Sequence, residues 1–161
     1  KWIRSLVIPA FFLILFFYFA ILYYHHFPIN TAEGFQYGYK QVAEYIKENY
    51  EEYEKIIIDP KFGDNRLYDG VPHLYIPYYT YLNPQKFLDE RKDLPSGLYF
   101  DKYEIREIAW SREEIVSKVL YVVPRSNLPP SSLVNRLCLK REVKLPDGRP
   151  AFLLYSPGGN Q

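Results

Sequence analysis

The segment SLVIPAFFLILFFYFAILYY, residues 5–24, carries no charged side chain and decides how the rest of the chain is arranged. As an α-helix it would be about 30 Å long, which matches the hydrocarbon thickness of a bilayer. Each of its Leu, Ile, Val and Phe side chains favours insertion by roughly 0.3 to 0.6 kcal/mol, and Pro9 lies in the first turns, where proline is tolerated. Trp2 at one end and Tyr23 and Tyr24 at the other are typical of the headgroup layer. The sequence therefore predicts a transmembrane helix that occupies residues 1–26 with its flanks.

A cleaved signal peptide and a buried core helix are the two alternatives for this segment. A signal peptide has an apolar centre of about 7 to 15 residues and a cleavage site of small residues, and this segment has neither. A helix of a soluble core would carry a polar face, which is also absent. Lys1 and Arg4 precede the apolar residues, and the positive-inside rule places such residues in the cytoplasm. We therefore expect the remainder of the chain outside the cytoplasm, at the cell membrane.

Composition limits what the residues after this segment can form and bind. The 161 residues include no methionine and begin at Lys1, so we expect the chain to be part of a longer protein. The single cysteine, Cys138, leaves no internal disulfide, and about 130 residues suffice for a hydrophobic core. A net charge of +1 argues against a nucleic-acid partner.

Residues 27–156 are predicted to form one extracytoplasmic domain, followed by a disordered tail at 157–161. Asn30 and Glu33 have the spacing of a capping box, and apolar residues recur at helical intervals through residues 31–50. This pattern predicts an amphipathic helix.

Several strands are expected after this helix. The β-branched run at residues 55–58 is typical of a buried strand of the parallel or central type. Residues 71–82 favour a short helix that opens at Pro72 and is kinked or broken near Pro77, with a strand as the alternative, and a turn follows at Asn83 and Pro84.

Further predicted elements are a strand at residues 98–108, a short helix capped by Ser111 and Glu114, a strand at 118–124 and a hairpin of 137–144 with 150–155 around Asp147 and Gly148. The expected fold class is α/β: one N-terminal transmembrane helix, then a mixed sheet of four to five strands with helices packed on it.

Seven short pieces of the sequence resemble a known pattern when they are taken in order. They are FP (27–28), FQYGYK (35–40), III (56–58), PHLY (72–75), LNP (82–84), KYEIR (102–106) and LPDGRPAF (145–152). The chain resembles the C-terminal part of prokaryotic GT-C glycosyltransferases of the dolichyl-phosphate-mannose protein mannosyltransferase-like family. The similarity extends from the last membrane helix almost to the C-terminus, and QYGYK is its most specific piece.

This resemblance implies a function for the parent protein. Such enzymes transfer a sugar from a polyprenyl-phosphate carrier outside the cytoplasm, and a large multi-helix membrane domain precedes the external C-terminal domain. Their acidic catalytic base lies in the first external loop, so the resemblance implies that this fragment has no catalytic activity and no cofactor of its own. The implied partners are the bilayer, the upstream transmembrane domain, a lipid-linked sugar and a protein or glycan acceptor. The alternative is a single-pass membrane protein whose external domain binds a peptide, a glycan or a protein.

A polar loop after the first strand is the preferred contact site, because ligands of open α/β sheets bind beyond the carboxyl ends of the strands. Its candidate residues are Asp59, Lys61, Asp64, Arg66, Tyr68 and Asp69. A solvated loop without a ligand is the alternative. Lys40 could meet a lipid phosphate if its helix lies along the membrane.

Other residues give weaker signals. Adjacent His25 and His26 point about 100° apart on a helix and cannot chelate one metal ion. The tyrosines at 75, 78, 79 and 81 could stack on sugar rings or lie against the bilayer, with core packing as the favoured alternative. Residues 27–161 show no nucleophile or metal constellation.

Overall fold

The chain begins with a long apolar helix in the computed structural model, which describes residues 2–63 and 69–158. This helical run consists of α1 (Trp2–Ile21), a π-helical turn (Leu22–His26) and α2 (Phe27–Thr31). By length and composition, Leu6–Thr31 is apolar enough to cross a membrane, and none of its hydrophobic centre is buried against the rest of the protein. The predicted apolar helix is thus present, and it continues beyond residue 26 to Thr31.

The remaining helices and strands belong to an α/β domain. The helices are α3 (Tyr39–Glu48), α4 (Pro72–Thr80), α5 (Pro84–Glu90) and α6 (Ser131–Val134), with 3-10 turns at Tyr50–Glu52 and Arg125–Asn127. The strands are β1 (Lys55–Ile58), β2 (Lys92–Leu94), β3 (Gly97–Phe100), β4 (Tyr103–Ile105), β5 (Val119–Pro124), β6 (Leu137–Lys144) and β7 (Pro150–Pro157).

The seven strands form one mixed sheet in the order β2-β3-β4-β1-β5-β7-β6. Strand β1 lies at the centre and is parallel to β4 and to β5, and the four other pairs are antiparallel. The predicted α/β class is confirmed, as is the buried, central character of residues 55–58. The predicted β6–β7 hairpin is also present, and β7 continues through Pro157, one residue into the expected tail. Residues 159–161 of that tail lie outside the described residues.

The strand count of four to five was too low for two reasons. The single strand expected at residues 98–108 is a hairpin of β3 and β4, which turns at Asp101 with a φ of 49°. Strand β2 adds an edge whose three residues are all exposed, so it carries no apolar pattern that would reveal it.

A hydrophobic core lies on each face of the sheet, because successive residues of a strand point to opposite faces. Ile56 and Ile58 of β1 pack with α3 and α4 in the larger core, and Ile57 packs in the smaller core with Trp110 and Tyr121.

The helix predicted at residues 31–50 is shorter than expected. Asn30 lies inside α2 and caps no helix, and α3 begins only at Tyr39, after a linker of residues 32–38. Gln36 has a φ of 53° and Gly38 a φ of 115°, which a right-handed helix cannot include. The linker therefore separates the apolar helical run from the domain.

Two other predicted helices had different outcomes. Residues 72–80 form the predicted helix, α4, but it shows no break at Pro77 and continues to Thr80. The Asn83 side chain then caps α5 by accepting from the backbone N–H of Gln85 at 2.9 Å. The prediction of a short helix capped by Ser111 and Glu114 was wrong, because Ser111 lies in a turn and Glu114 in a segment without regular secondary structure.

Candidate functional site

Asp59 lies at the carboxyl end of β1 and is fully buried. Its carboxylate accepts hydrogen bonds from the backbone N–H of Lys61 at 2.9 Å, the backbone N–H of Ile108 at 3.3 Å and Asn127 Nδ2 at 2.6 Å. These donors follow β1, β4 and β5, the three parallel strands of the sheet. Asp59 therefore ties together the three connections that leave this end of the sheet.

Two other described members of the predicted loop site, Lys61 and Asp69, form an ion pair. Lys61 Nζ lies 2.7 Å from Asp69 Oδ1, and this hydrogen bond raises the pKa of the Lys61 ammonium. Asp64, Arg66 and Tyr68 lie outside the described residues. Lys40 is not part of this loop: it lies on the outer surface of α3 with its Nζ 3.8 Å from Glu44 Oε1.

An aromatic cluster packs next to this end of the sheet. The Tyr39 ring packs on Phe62, Tyr75 and Phe152 with centroid distances of 5.9, 5.2 and 4.7 Å. Among the described residues, its buried hydroxyl has no hydrogen-bond partner. Burial, with the nearby charge of Asp59, raises the pKa of the Tyr39 hydroxyl well above its ordinary value, so the phenol stays neutral. Among the described residues, Asp59 and Tyr39 thus contribute to the packing of this end of the sheet.

An open groove lies at the opposite end, where β1 and β4 begin. It has a volume of about 640 Å³. The residues before β1, the α4–α5 junction and the β3–β4 turn line it, including Lys47, Tyr50, Tyr81, Asn83, Lys86 and Asp101.

Polar contacts fix the side chains on one wall of this groove. Tyr50 Oη donates to Asp101 Oδ2 at 2.5 Å, and Lys86 Nζ lies 3.5 Å from the same oxygen. Lys102 Nζ lies 4.0 Å from the centroid of the Tyr50 ring and donates to the Tyr50 carbonyl at 3.1 Å. Burial, with the hydrogen bond to Asp101, raises the pKa of the Tyr50 hydroxyl. Aromatic, carboxylate and ammonium groups are therefore held side by side.

The opposite wall presents a single large ring. Tyr81 is 81% exposed and has a φ of 57°, which ends α4 and turns its side chain outward. Lys47 Nζ lies 4.6 Å from the centroid of its ring. Such a groove can bind a hydroxyl-rich ligand, because tyrosine rings offer apolar faces while the carboxylate and the ammonium groups hydrogen-bond to hydroxyls.

No metal cluster accompanies the groove in the described part of the chain. Residues 2–63 and 69–158 contain no cluster of three His, Cys, Asp or Glu side chains that could hold a metal ion. The groove lining includes the carboxylates of Glu48, Glu51, Glu52 and Asp101 but no Ser, Cys or His side chain.

Sequence reasoning missed most of this groove. Tyr50 and Asp101 are 51 positions apart, and only the tertiary fold brings them together. Among the four tyrosines of residues 75–81, Tyr75 and Tyr79 pack against the core as the favoured alternative expected, whereas Tyr78 and Tyr81 are exposed.

Comparison with models of known protein families, with curated proteins and with solved structures finds no match to this chain.

Proposed function

We propose that this chain is the membrane anchor and external accessory domain of a glycosyltransferase that takes its sugar from a polyprenyl-phosphate carrier. The domain positions the acceptor or stabilises the membrane-embedded part of the enzyme. By itself the chain transfers no sugar. The order of the resemblance pieces, from FP at residues 27–28 to LPDGRPAF at 145–152, supports the choice of this family.

The observation that carries the proposal is the connection between the apolar helix and the domain. Only residues 32–38 separate Thr31 from α3, and two side chains of this linker contact the domain. Glu33 Oε1 lies 3.0 Å from Arg149 Nη2, and the Gln36 side chain accepts from the backbone N–H of Val71 at 2.9 Å. A domain held in this way stays beside the membrane that its helix enters.

The open groove supports a role on the acceptor side. It combines tyrosine rings with carboxylates and ammonium groups, which suit a hydroxyl-rich ligand. Lys1 and Arg4 favour the orientation in which the groove faces the outside of the cell, where such transferases act.

The coding sequence upstream of Lys1 provides the first test. About ten or more hydrophobic segments of roughly twenty residues, with an acidic pair in the first external loop, would support the transferase proposal. An upstream sequence without such segments would rule it out. The chain would then be a single-pass membrane protein whose external domain binds a peptide, a glycan or a protein, an alternative that the open groove also fits.

Kinetics of the intact enzyme test the role of the groove. Tyr81→Ala removes an exposed ring and should raise KM for the acceptor while kcat and KM for the lipid-linked donor stay close to those of the parent. Leu139→Ala is the control, because Leu139 is half exposed on the edge strand β6 and lies outside the groove. Unchanged acceptor KM in the Tyr81 variant would assign the domain a purely stabilising role.

A further inference from the structure

Helix α4 is apolar on both its faces. Pro72 and Ile76 are buried, and Tyr75 and Tyr79 pack against the larger core. On the outer face Leu74 is 60% exposed and Tyr78 is 72% exposed. A surface helix of a water-soluble domain normally turns polar residues outward, so the exposed Leu74 and Tyr78 suit an apolar neighbour.

The start of α4 lies close to the end of the apolar helical run. Val71, the residue before α4, donates its N–H to Gln36, which follows Thr31 by only five residues. Phe35 is exposed, and its ring centroid lies 6.3 Å from that of Phe27 in α2. The exposed apolar side chains of the linker and of α4 therefore begin where the membrane-spanning segment would end.

Lys40 borders the same outer face. It lines a depression of about 900 Å³ together with Leu74, Pro77 and Tyr78. Its contact with Glu44 is an exposed pair at 3.8 Å, which holds the ammonium group only weakly. Leucine, tyrosine and lysine side chains together are typical of protein surfaces in the headgroup layer: the rings and aliphatic chains enter it, and the ammonium pairs with lipid phosphate.

We propose that the outer face of α4, with Phe35 and Lys40, lies in the headgroup layer of the bilayer that α1 crosses. This inference rests on the anchoring part of the proposed function and is independent of the transferase part. Contact between this face and the headgroups would fix the orientation of the domain relative to the bilayer. Tyr81 and Asn83 line both this depression and the acceptor groove, so the groove opens beside the headgroups.

Fluorescence quenching of the full chain in lipid nanodiscs tests the proposal. An environment-sensitive dye is attached to one cysteine at a time: native Cys138, or Tyr78→Cys and Ile14→Cys in a Cys138→Ser background. Quenching is compared between lipids that carry a nitroxide and aqueous iodide. The dyes at positions 78 and 14 should lose more fluorescence to the nitroxide lipids, and the dye at Cys138 should lose more to iodide.

Cys138 is a suitable water-side control because of its place in the β6–β7 hairpin. It is exposed and pairs with Ser156 at the end of the hairpin away from the Asp147–Gly148 turn. That turn is the end near the linker, since Arg149 pairs with Glu33. Six residues along a strand place Cys138 about 20 Å from the Lys144 end.

Each outcome separates the inference from the anchoring itself. If position 14 responds to the nitroxide lipids and position 78 responds only to iodide, the α4 proposal is overturned and the anchor stands. If position 14 is insensitive to the lipids, the anchoring fails. If position 78 is shielded from both quenchers, protein covers α4, either a second copy or an upstream segment, and the bilayer proposal is again overturned.

Two further variants provide a second labelled site and a test of Lys40. Leu74→Cys on the same face should respond as Tyr78→Cys does. Lys40→Glu should reduce the lipid quenching at position 78 in nanodiscs with anionic lipids, because it replaces attraction to lipid phosphate by repulsion. Equal quenching with and without this substitution would remove Lys40 from the proposed surface.

Discussion

At the scale of single residues, Asp59 shows how a carboxylate at a strand end can serve the fold. It accepts from Lys61, Ile108 and Asn127, and Asn127 Nδ2 also donates to the Ile108 carbonyl at 2.9 Å. Sequence reasoning could place Asp59 beyond β1 but not find its donors, because the latter two lie 49 and 68 positions away in sequence.

Asp59→Ala should lower the free energy of unfolding by about 2 to 4 kcal/mol, because buried N–H groups lose their acceptor. Urea denaturation in detergent, followed by circular dichroism, measures this change. Asp69→Ala is the matched control: its carboxylate pairs with Lys61 at the surface, and its removal should cost less than about 0.5 kcal/mol. Equal losses in the two variants would show that Asp59 is not the link we describe.

The raised pKa values of two buried tyrosines indicate that the domain loses stability at alkaline pH. Burial raises the pKa of Tyr103 and of Tyr121 to about 12 from an ordinary value of 10.0. Since the folded-state pKa exceeds the unfolded one, their contribution to stability is complete below pH 10 and is lost as the pH rises towards 12. The urea midpoint should therefore fall steeply between pH 10 and 12.

Tyr121→Phe identifies the residue responsible within this pH range. The stability of the variant should fall less between pH 10 and 12 than that of the parent. The comparison is made within each protein, because the variant also loses the hydrogen bond from Tyr121 Oη to the Glu114 carbonyl and can differ in stability already at pH 8. The ultraviolet absorbance of phenolate, recorded on the same samples, follows ionisation directly. Parallel curves for parent and variant would exclude Tyr121 as a cause.

At the scale of elements, Gly38 separates the linker from α3. Its φ of 115° is unfavourable for any residue with a Cβ, and a Cβ there would lie 3.1 to 3.3 Å from Phe152, Val143 and Ala151. Gly38→Ala should therefore cost about 1 to 2 kcal/mol of stability, measured by urea denaturation. Gly34→Ala in the same linker is the control: its Cβ would meet only the Thr31 carbonyl at 3.5 Å, and its effect should be much smaller.

Elements with strong local patterns could be predicted from the sequence. The apolar run of α1, the β-branched β1 and the Asp147–Gly148 hairpin each carry their signal within a few residues. Elements that depend on distant contacts could not.

The segment around Ser111 is an example of such dependence. Arg106 binds both carboxylate oxygens of Glu113 at 2.9 and 2.7 Å, and Trp110 Nε1 donates to the Asn127 carbonyl at 2.9 Å. These contacts favour a turn and an irregular segment over the helix that the capping-box spacing predicts. The same limit applies to the open groove, whose walls come from three separate parts of the chain.

At the scale of the whole molecule, the groove lies at the end of the parallel strands opposite to the end that was expected to bind a ligand. Ligands usually bind at the carboxyl ends, where the described residues Asp59 and Tyr39 take part in a hydrogen-bonded junction and an aromatic cluster. The open groove lies at the amino ends, next to Tyr81 at the end of α4. A domain held against a bilayer through α4 would thus present its groove at the membrane surface, which suits an acceptor-side role better than a crevice at the Asp59 end.

The orientation of the chain in the cell membrane provides the last prediction. Lys1 and Arg4 favour the cytoplasm, so the domain should lie outside, and native Cys138 is exposed and is the only cysteine of the sequence. A membrane-impermeant maleimide should therefore label Cys138 in intact cells as fully as in permeabilised ones, and Cys138→Ser should abolish the signal. Labelling that requires permeabilisation would place the domain in the cytoplasm, away from any transfer on the outer side, and would contradict the proposed transferase role while leaving the apolar anchor in place.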